Sequence, residues 1–246
     1  MSRRPFVVCH MLTSLDGKID GAYFDAPETV PALKAYGGLR GFYDCQATLY
    51  GTTTMLGGYA DGKAPTLSPV KTPLPREDWI NEKGRALGNF IVSMDPQGEL
   101  AFSSHCLEKK GRPAAHVIEA LTEQVSPEYL AYLRQRGVSY LFTGKDRLDC
   151  ALLLEKLMKN FAVTRLMVAG GGVTNWSFLQ ENLIDELSLV MAPVADGGTE
   201  SVSIFERAAF LPACSPAAFA IKKMKVLDGD TLWLRYDLRC VQNERR

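Results

Sequence analysis

Two short segments of the 246-residue chain carry side chains or bare backbone at spacings suited to chemistry. The first is Ser14-Leu15-Asp16-Gly17-Lys18, which places a hydroxyl, a carboxylate and an ammonium within five residues. A glycine between the two charges can bend the chain so that both heads enter one cleft. Asp16 or Lys18 could then supply or orient a proton, or polarise a developing oxyanion. Asp-Gly is equally a common turn, and an isolated lysine is usually solvated, so the residues alone leave an ordinary turn open. The second segment is Gly170-Gly171-Gly172 followed by Val173-Thr174-Asn175. A strand running into three glycines and then a helix can turn bare N–H groups toward an anion. It can also be a turn that merely lets helix and strand pack closely.

Several better-known motifs nearly match and fail. Gly57 to Lys63 fits G-x-x-x-x-G-K, but Ala64 stands where a phosphate loop needs Ser or Thr for magnesium, and Pro65 blocks the helix that should follow. The triple glycine has Asn175 where a dinucleotide fingerprint has its third glycine, and it lies late in the chain. No G-x-S-x-G is present. Cys9, Cys45, Cys106, Cys150, Cys214 and Cys240 are scattered without a C-x-x-C, which predicts reduced, individually buried thiols. His10, His105 and His116 form no ligand pair, so no metal site is expected.

These segments need a scaffold, and the apolar pattern supplies one. Phe6 to Leu12 reads as a buried strand feeding the Ser14–Lys18 loop. Ala47 to Tyr50 is a second strand, followed by Gly51-Thr52-Thr53-Thr54 and a short helix. Further strands are predicted at 90–92, 100–103 (interrupted), 117–121, 138–142, 165–169 and 186–193. Helices are predicted at 31–42, 79–87, 127–136 with Gly137 as C-cap, 149–160 with Asp149 as N-cap, and 174–182. Asp228-Gly229-Asp230 between two apolar runs predicts a C-terminal hairpin. Strands alternating with helices and closing in a hairpin make this an α/β chain: a single domain over 1–246 with a mixed, mostly parallel sheet flanked by helices. Leu232, Leu234 and Tyr236 alternate on one hairpin face while Trp233 points to the other, which predicts a homodimer. Lys+Arg and Asp+Glu number 28 each, so the balanced charge argues against nucleic-acid or anionic-membrane binding. No run approaches the length of a membrane span, and the short first run lacks a signal-peptide pattern, so a cytoplasmic protein is expected.

Three segments in order, Ser14-Leu15-Asp16-Gly17-Lys18, Leu49-Tyr50-Gly51-Thr52-Thr53-Thr54, and Val168-Ala169-Gly170-Gly171-Gly172 with Leu183-Ile184-Asp185-Glu186-Leu187, resemble the reductase domain of bacterial riboflavin biosynthesis. That domain is a member of the dihydrofolate reductase-like superfamily, and the resemblance runs over roughly residues 5–238. It implies an NADPH-dependent oxidoreductase that reduces the ribosyl group of a 5-amino-6-ribosylaminopyrimidine phosphate to ribityl. It assigns Gly170, Gly171, Gly172 and Val173 to the cofactor's pyrophosphate or nicotinamide. Gly51, Thr52 and Thr54 fall to its other phosphate end, and Ser93 to the adenosine 2′-phosphate. Ser14, Asp16 and Lys18 fall to the small-molecule substrate. Two positions depart from the pattern: Thr52 replaces a common arginine, and Ala169 an acidic residue. The deaminase domain often fused to this reductase is expected to be absent, as no residues precede the first strand to encode it. The alternatives are a reductase of another heterocycle or small carbonyl compound, and a non-catalytic nucleotide-binding dimer. Folate is disfavoured, because no carboxylate lies between Pro31 and Phe42.

Overall fold

The computed structural model describes residues 4–64, 66–70, 74–109 and 111–239. Pro65 and Cys240, both used in the sequence argument, lie outside the described residues. From the N-terminus, the apolar run becomes strand β1 (Phe6–Thr13), buried at every position but the first. Helix α1 (Val30–Tyr43) carries a proline in its first turn and stops at Asp44 in the left-handed conformation. Strand β2 (Ala47–Gly51) runs straight into the short helix α2 (Thr52–Leu56). The helix expected at 79–87 shrinks to α3 (Glu82–Arg85), started by Asn81, whose side chain accepts from the N–H groups of Lys83 and Gly84. Strand β3 (Phe90–Met94) follows.

The strand expected at 100–103 is reduced to an isolated antiparallel bridge between Leu100 and Lys63. Tyr132 Oη bonds both N and O of Phe102, and Asp95 Oδ2 accepts from the N–H groups of Glu99 and Leu100. Side chains therefore take the backbone groups of Phe102 and the N–H groups of Glu99 and Leu100, while Ala101 pairs with the backbone of Asp61 and Gly62. The short strand falls instead at β4 (Cys106–Leu107), antiparallel to β5 (Ala115–Leu121). Helix α4 (Pro127–Arg136) has Ser126 as N-cap and left-handed Gly137 as C-cap. Strand β6 (Ser139–Phe142), helix α5 (Cys150–Phe161, capped by Asp149) and strand β7 (Arg165–Val168) complete the middle of the chain. Helix α6 (Gly172–Gln180) starts two residues before the predicted position, and β8 (Glu186–Met191) leads to the hairpin β9 (Phe219–Val226) and β10 (Leu232–Leu238).

The contacts gather these elements into two compact units, one built on Gln46–Leu166 and the other on Phe6–Cys45 with the chain from Met167 onward. Because the second unit draws strands from both ends of the sequence, no boundary can be read along the chain. In the first unit β2, β3, β5 and β6 are parallel neighbours, with β4 antiparallel on β5. In the second, β1 and β8 are parallel and β10 and β9 continue antiparallel beyond β8. The strands are mixed and mostly parallel, as the sequence predicts.

One buried ion cluster ties the second unit together. Glu186, 1% exposed, accepts from Arg235 at 2.6 and 2.8 Å, from Tyr43 Oη at 2.7 Å, and pairs with Lys222 at 2.9 Å. Burial alone would raise its pKa, but the hydrogen bonds from Arg235, Tyr43 and Lys222 overcome that and lower it to about 2. Removing Arg235 leaves the buried carboxylate to Tyr43 and the partly exposed Lys222, so Arg235→Met should destabilise the protein by about 1.5–3 kcal/mol at neutral pH. The depressed pKa fixes the sign of the pH dependence. The wild-type advantage is complete above the ordinary glutamate range and fades as pH falls toward 2. Urea unfolding of both proteins across that range, followed by circular dichroism, checks both the size and the narrowing.

Candidate functional site

In the second unit, β1 and β8 end side by side, and each releases a loop at its carboxyl end. The loop after β1 is folded by its own side chains. Buried Ser14 Oγ accepts from Lys18 N at 2.9 Å and donates to Asp16 Oδ1 at 2.6 Å, while Gly17 takes a φ of +77°. The loop after β8 becomes a strap, residues 194–206, which runs along the first loop. Leu15 N donates to Val194 O, Ile19 N to Val202 O and Ile204 N to Gly17 O, and Lys18 bridges Ser203 in antiparallel fashion. Asp16 grips the strap's turn, with Oδ1 accepting from Asp196 N and Oδ2 from Gly197 N, both at 2.9 Å. These donors, led by the Ser14 hydroxyl, hold the exposed Asp16 carboxyl well below the usual carboxylate range. Lys18 Nζ donates to Ser201 O at 2.9 Å.

The strap's far end meets the triple glycine. Glu206 N donates to Gly172 O, and Asn175 Nδ2 to Ile204 O at 2.8 Å. A Cβ on Gly172 would stand 2.4 Å from Ser203 O, so only glycine admits the strap there. Gly170 has a φ of +115°, and the Gly170–Gly171 peptide is cis. Gly171 is the N-cap of α6; no side chain caps that helix, and a Cβ on Gly171 would meet nothing within 4 Å. Half-buried Val173 follows in the first turn. Uncapped helix N-terminus, open space and bare backbone together fit a dinucleotide's pyrophosphate. The strap thus brings Ser14, Asp16, Lys18 and Gly172 into one framework, although sequence reasoning assigned it no role. Its only local signals are Asp196-Gly197-Gly198, a turn sequence, and the polar Ser201 and Ser203.

The remaining cofactor candidates belong to the first unit. Gly51 is the N-cap of α2 without a capping side chain, half-buried Thr52 donates through Oγ1 to Met94 O at 2.8 Å, and Thr54 is half-buried. Ser93 is fully buried in β3, in register with Tyr50 and Glu119, so its hydroxyl is enclosed by protein. Burial and the neighbouring Asp95 hold Glu119 well above the usual carboxylate range.

Among the described residues no group of His, Cys, Asp or Glu could hold a metal ion, and no helix is long and apolar enough to cross a membrane. His116 instead bonds Ser139 Oγ at 2.7 Å, and His10 bonds Ser188 Oγ at 2.9 Å. The described cysteines are all free, but only Cys9 and Cys150 are buried; Cys45 and Cys106 are partly exposed and Cys214 is exposed on a loop. The expectation of uniformly buried thiols fails because three of them lie outside the strand and helix interiors.

Residues 5–232 match the family model described as the RibD C-terminal domain. The 2,5-diamino-6-ribosylamino-4(3H)-pyrimidinone 5′-phosphate reductase of Methanothermobacter thermautotrophicus is 25% identical over 243 residues, covering 96% of this chain and 99% of that protein. The protein of the same description from Archaeoglobus fulgidus is 26% identical over 219 residues, 86% of this chain and 90% of its own. Among solved structures, a pyrimidine reductase-like protein from Corynebacterium diphtheriae superposes with a TM-score of 0.67 at 16% identity, over 96% of this chain and 92% of that one. Acinetobacter baumannii RibD superposes with a TM-score of 0.64 at 19% identity over 97% of this chain, which spans only 59% of that structure. The two structures establish the fold.

Proposed function

The chain belongs to the RibD C-terminal domain family, and from that membership we propose that it reduces the ribosyl group of a ribosylaminopyrimidine 5′-phosphate to ribityl, with NADPH as the reductant. It is an oxidoreductase of riboflavin biosynthesis by kinship. The observation that carries the proposal is the strap, which ties the Ser14–Lys18 loop and the uncapped glycine strip into one framework. When bound, the nicotinamide supplies the hydride. The chain must bind and orient the reactants and deliver one proton. Gly170, Gly171, Gly172 and Val173 offer backbone to the dinucleotide. Gly51, Thr52 and Thr54 are retained as contacts for its other phosphate end on the resemblance alone. Ser93 is left out, because an enclosed hydroxyl cannot reach a ligand.

We divide the labour within the Ser14–Lys18 loop between its two charged residues. Asp16, already ionised and gripped by Ser14 Oγ and two backbone N–H groups, has no proton to give and serves to hold the strap. Lys18 carries an ammonium on a flexible stem, and we assign it the proton that the ribosyl ring oxygen takes up as the hydride reaches C1 and the C1–O bond breaks. Loss of NADPH absorbance with the ribosylaminopyrimidine phosphate, with dihydrofolate as control, tests the activity. Turnover of dihydrofolate or of unrelated carbonyl compounds in its place would move the assignment to another reductase.

The same reading makes the enzyme a cytoplasmic homodimer. Strand β9 is the outer strand of its unit and exposes Ile221 (59%), Met224 (61%) and Val226 (70%). The β-bulge beside Arg235/Tyr236 puts Ile221 opposite Tyr236, so Ile221 shares a face with the Met224–Leu234 and Val226–Leu232 pairs. An apolar face of this kind on an outer strand calls for cover, and a second copy supplies it. Light scattering at micromolar concentration should give twice the chain mass, and Met224→Lys should halve it. A monomeric wild type would end the dimer assignment.

A further inference from the structure

We propose that Asp196 is a positioning residue for the reduction: its carboxylate shapes the strap so that Ser201 O holds the Lys18 ammonium. The proposal rests on the reading that Lys18 serves the reaction. Residues 194–206 contain neither helix nor strand, so the strap takes its shape from its backbone bonds to the first loop and from side chains. Asp196 closes the turn at its start with three accepted bonds. Oδ1 accepts from Gly198 N at 3.0 Å and from Ser201 Oγ at 2.7 Å, closing the turn on itself. Oδ2 accepts from Tyr23 N at 3.0 Å, anchoring that turn to the segment after the substrate loop. The fit is close on both sides. A Cβ on Gly21 would lie 2.4 Å from Asp196 Oδ2, and one on Gly198 would lie 2.6 Å from Oδ1.

Asp196 makes no bond to Lys18, so it acts through Ser201. With the Ser201 hydroxyl fixed by Oδ1, its carbonyl stands 2.9 Å from Lys18 Nζ. That bond takes one of the three ammonium donors and restrains a stem that otherwise samples many rotamers. Asp16 completes the arrangement by accepting from Asp196 N and Gly197 N, so both carboxylates bond the same turn. The hydrogen bonds that do this, from Ser201 first for Asp196 and from Ser14 first for Asp16, also lower the pKa of each carboxyl, which extends the ionised, bonded form further into acid.

The test is a double-mutant cycle with Asp196→Asn and Lys18→Met, read in single-turnover reduction. A misplacement of about 1 Å at a reacting group can cost about 10²-fold, so Asp196→Asn should lose about that much. In the Lys18→Met background it should lose nothing further, which a merely structural role would not produce. An equal loss in both backgrounds, or none in the wild type, overturns the proposal. A second readout needs no turnover: acetylation of Lys18 by acetic anhydride, followed by peptide mass spectrometry against the other lysines. Freed from Ser201 O, Lys18 should react several-fold faster in Asp196→Asn; an unchanged rate overturns the positioning. If Lys18→Met keeps full turnover, the catalytic reading of Lys18 falls by itself, and acetylation still decides whether Asp196 places the ammonium. Should Asp196→Asn fail to fold, Ser201→Ala removes one bond to the carboxylate while keeping the carbonyl. It should show the same pattern at smaller amplitude.

Discussion

Replacing Lys18 with methionine is expected to lower turnover by about 10²–10⁴-fold while leaving cofactor affinity unchanged, the span seen when a proton donor is removed. Methionine keeps an unbranched apolar stem of similar reach and removes only the ammonium. The loop itself should survive, because it is built by groups other than the lysine head: Ser14 Oγ on Lys18 N, and Asp16 on Asp196 N and Gly197 N. Asp16→Asn is the informative comparison. An amide oxygen can still accept one strap N–H, and no proton donor is lost, since the native carboxyl is ionised throughout the neutral range. Its effect should therefore be well below that of Lys18→Met and should appear as slackened geometry. Pre-steady-state NADPH oxidation, with cofactor affinity measured separately, distinguishes the two. If Lys18→Met keeps wild-type turnover, the proton comes from elsewhere.

Much of this scaffold is legible because local chemistry and tertiary role agree. Phe6–Thr13 is apolar throughout and is buried from Val7 on. Asp149 is a cap residue that does cap, and Gly137 takes the left-handed position that ends α4. Asp228-Gly229-Asp230 sits in the turn it predicts. The failures share a different cause. Leu100–Ser103 has a strand-like pattern, but Tyr132 Oη claims the Phe102 backbone from 30 residues away and Asp95 Oδ2 takes Leu100 N, which leaves only the bridge to Lys63. Ser93 lies at a position where the resemblance places a cofactor contact, yet its neighbours in register enclose its hydroxyl. The strap is the largest omission. Its order comes from carboxylates 180 residues apart in sequence, as in the Asp16–Asp196 contact, and from glycines whose value shows only once something approaches them. Asp16 reads as chemistry from its neighbours Ser14 and Lys18, and its carboxylate also clasps that strap.

The glycine strip allows a sharper experiment than its sequence suggested, because its members are not equivalent. Gly172 cannot accept even a methyl group without displacing Ser203 O, so Gly172→Ala would disturb the strap and confuse loss of binding with loss of structure. Gly171 has an ordinary φ of −70° and open space where its side chain would go. It is also the uncapped N-cap of α6, a position where aspartate is among the most favourable residues. Gly171→Asp should thus fold at least as well as the wild type, with its carboxylate drawn to the same N-terminal field that would attract a pyrophosphate. The aspartate then occupies the anion site and repels what should enter it. Two unit charges about 4 Å apart repel by ~4 kcal/mol at a protein surface, which corresponds to about 10³-fold in affinity. Gly171→Ala, which adds bulk without charge, should lose far less, and the difference between the two variants measures the anion directly. Titration of the intrinsic tryptophan fluorescence with NADPH reads both, with Trp176→Phe as the control that isolates the indole five residues on along the same helix from those of Trp79 and Trp233. A folded Gly171→Asp protein that binds NADPH like the wild type would show that the cofactor's phosphates lie elsewhere.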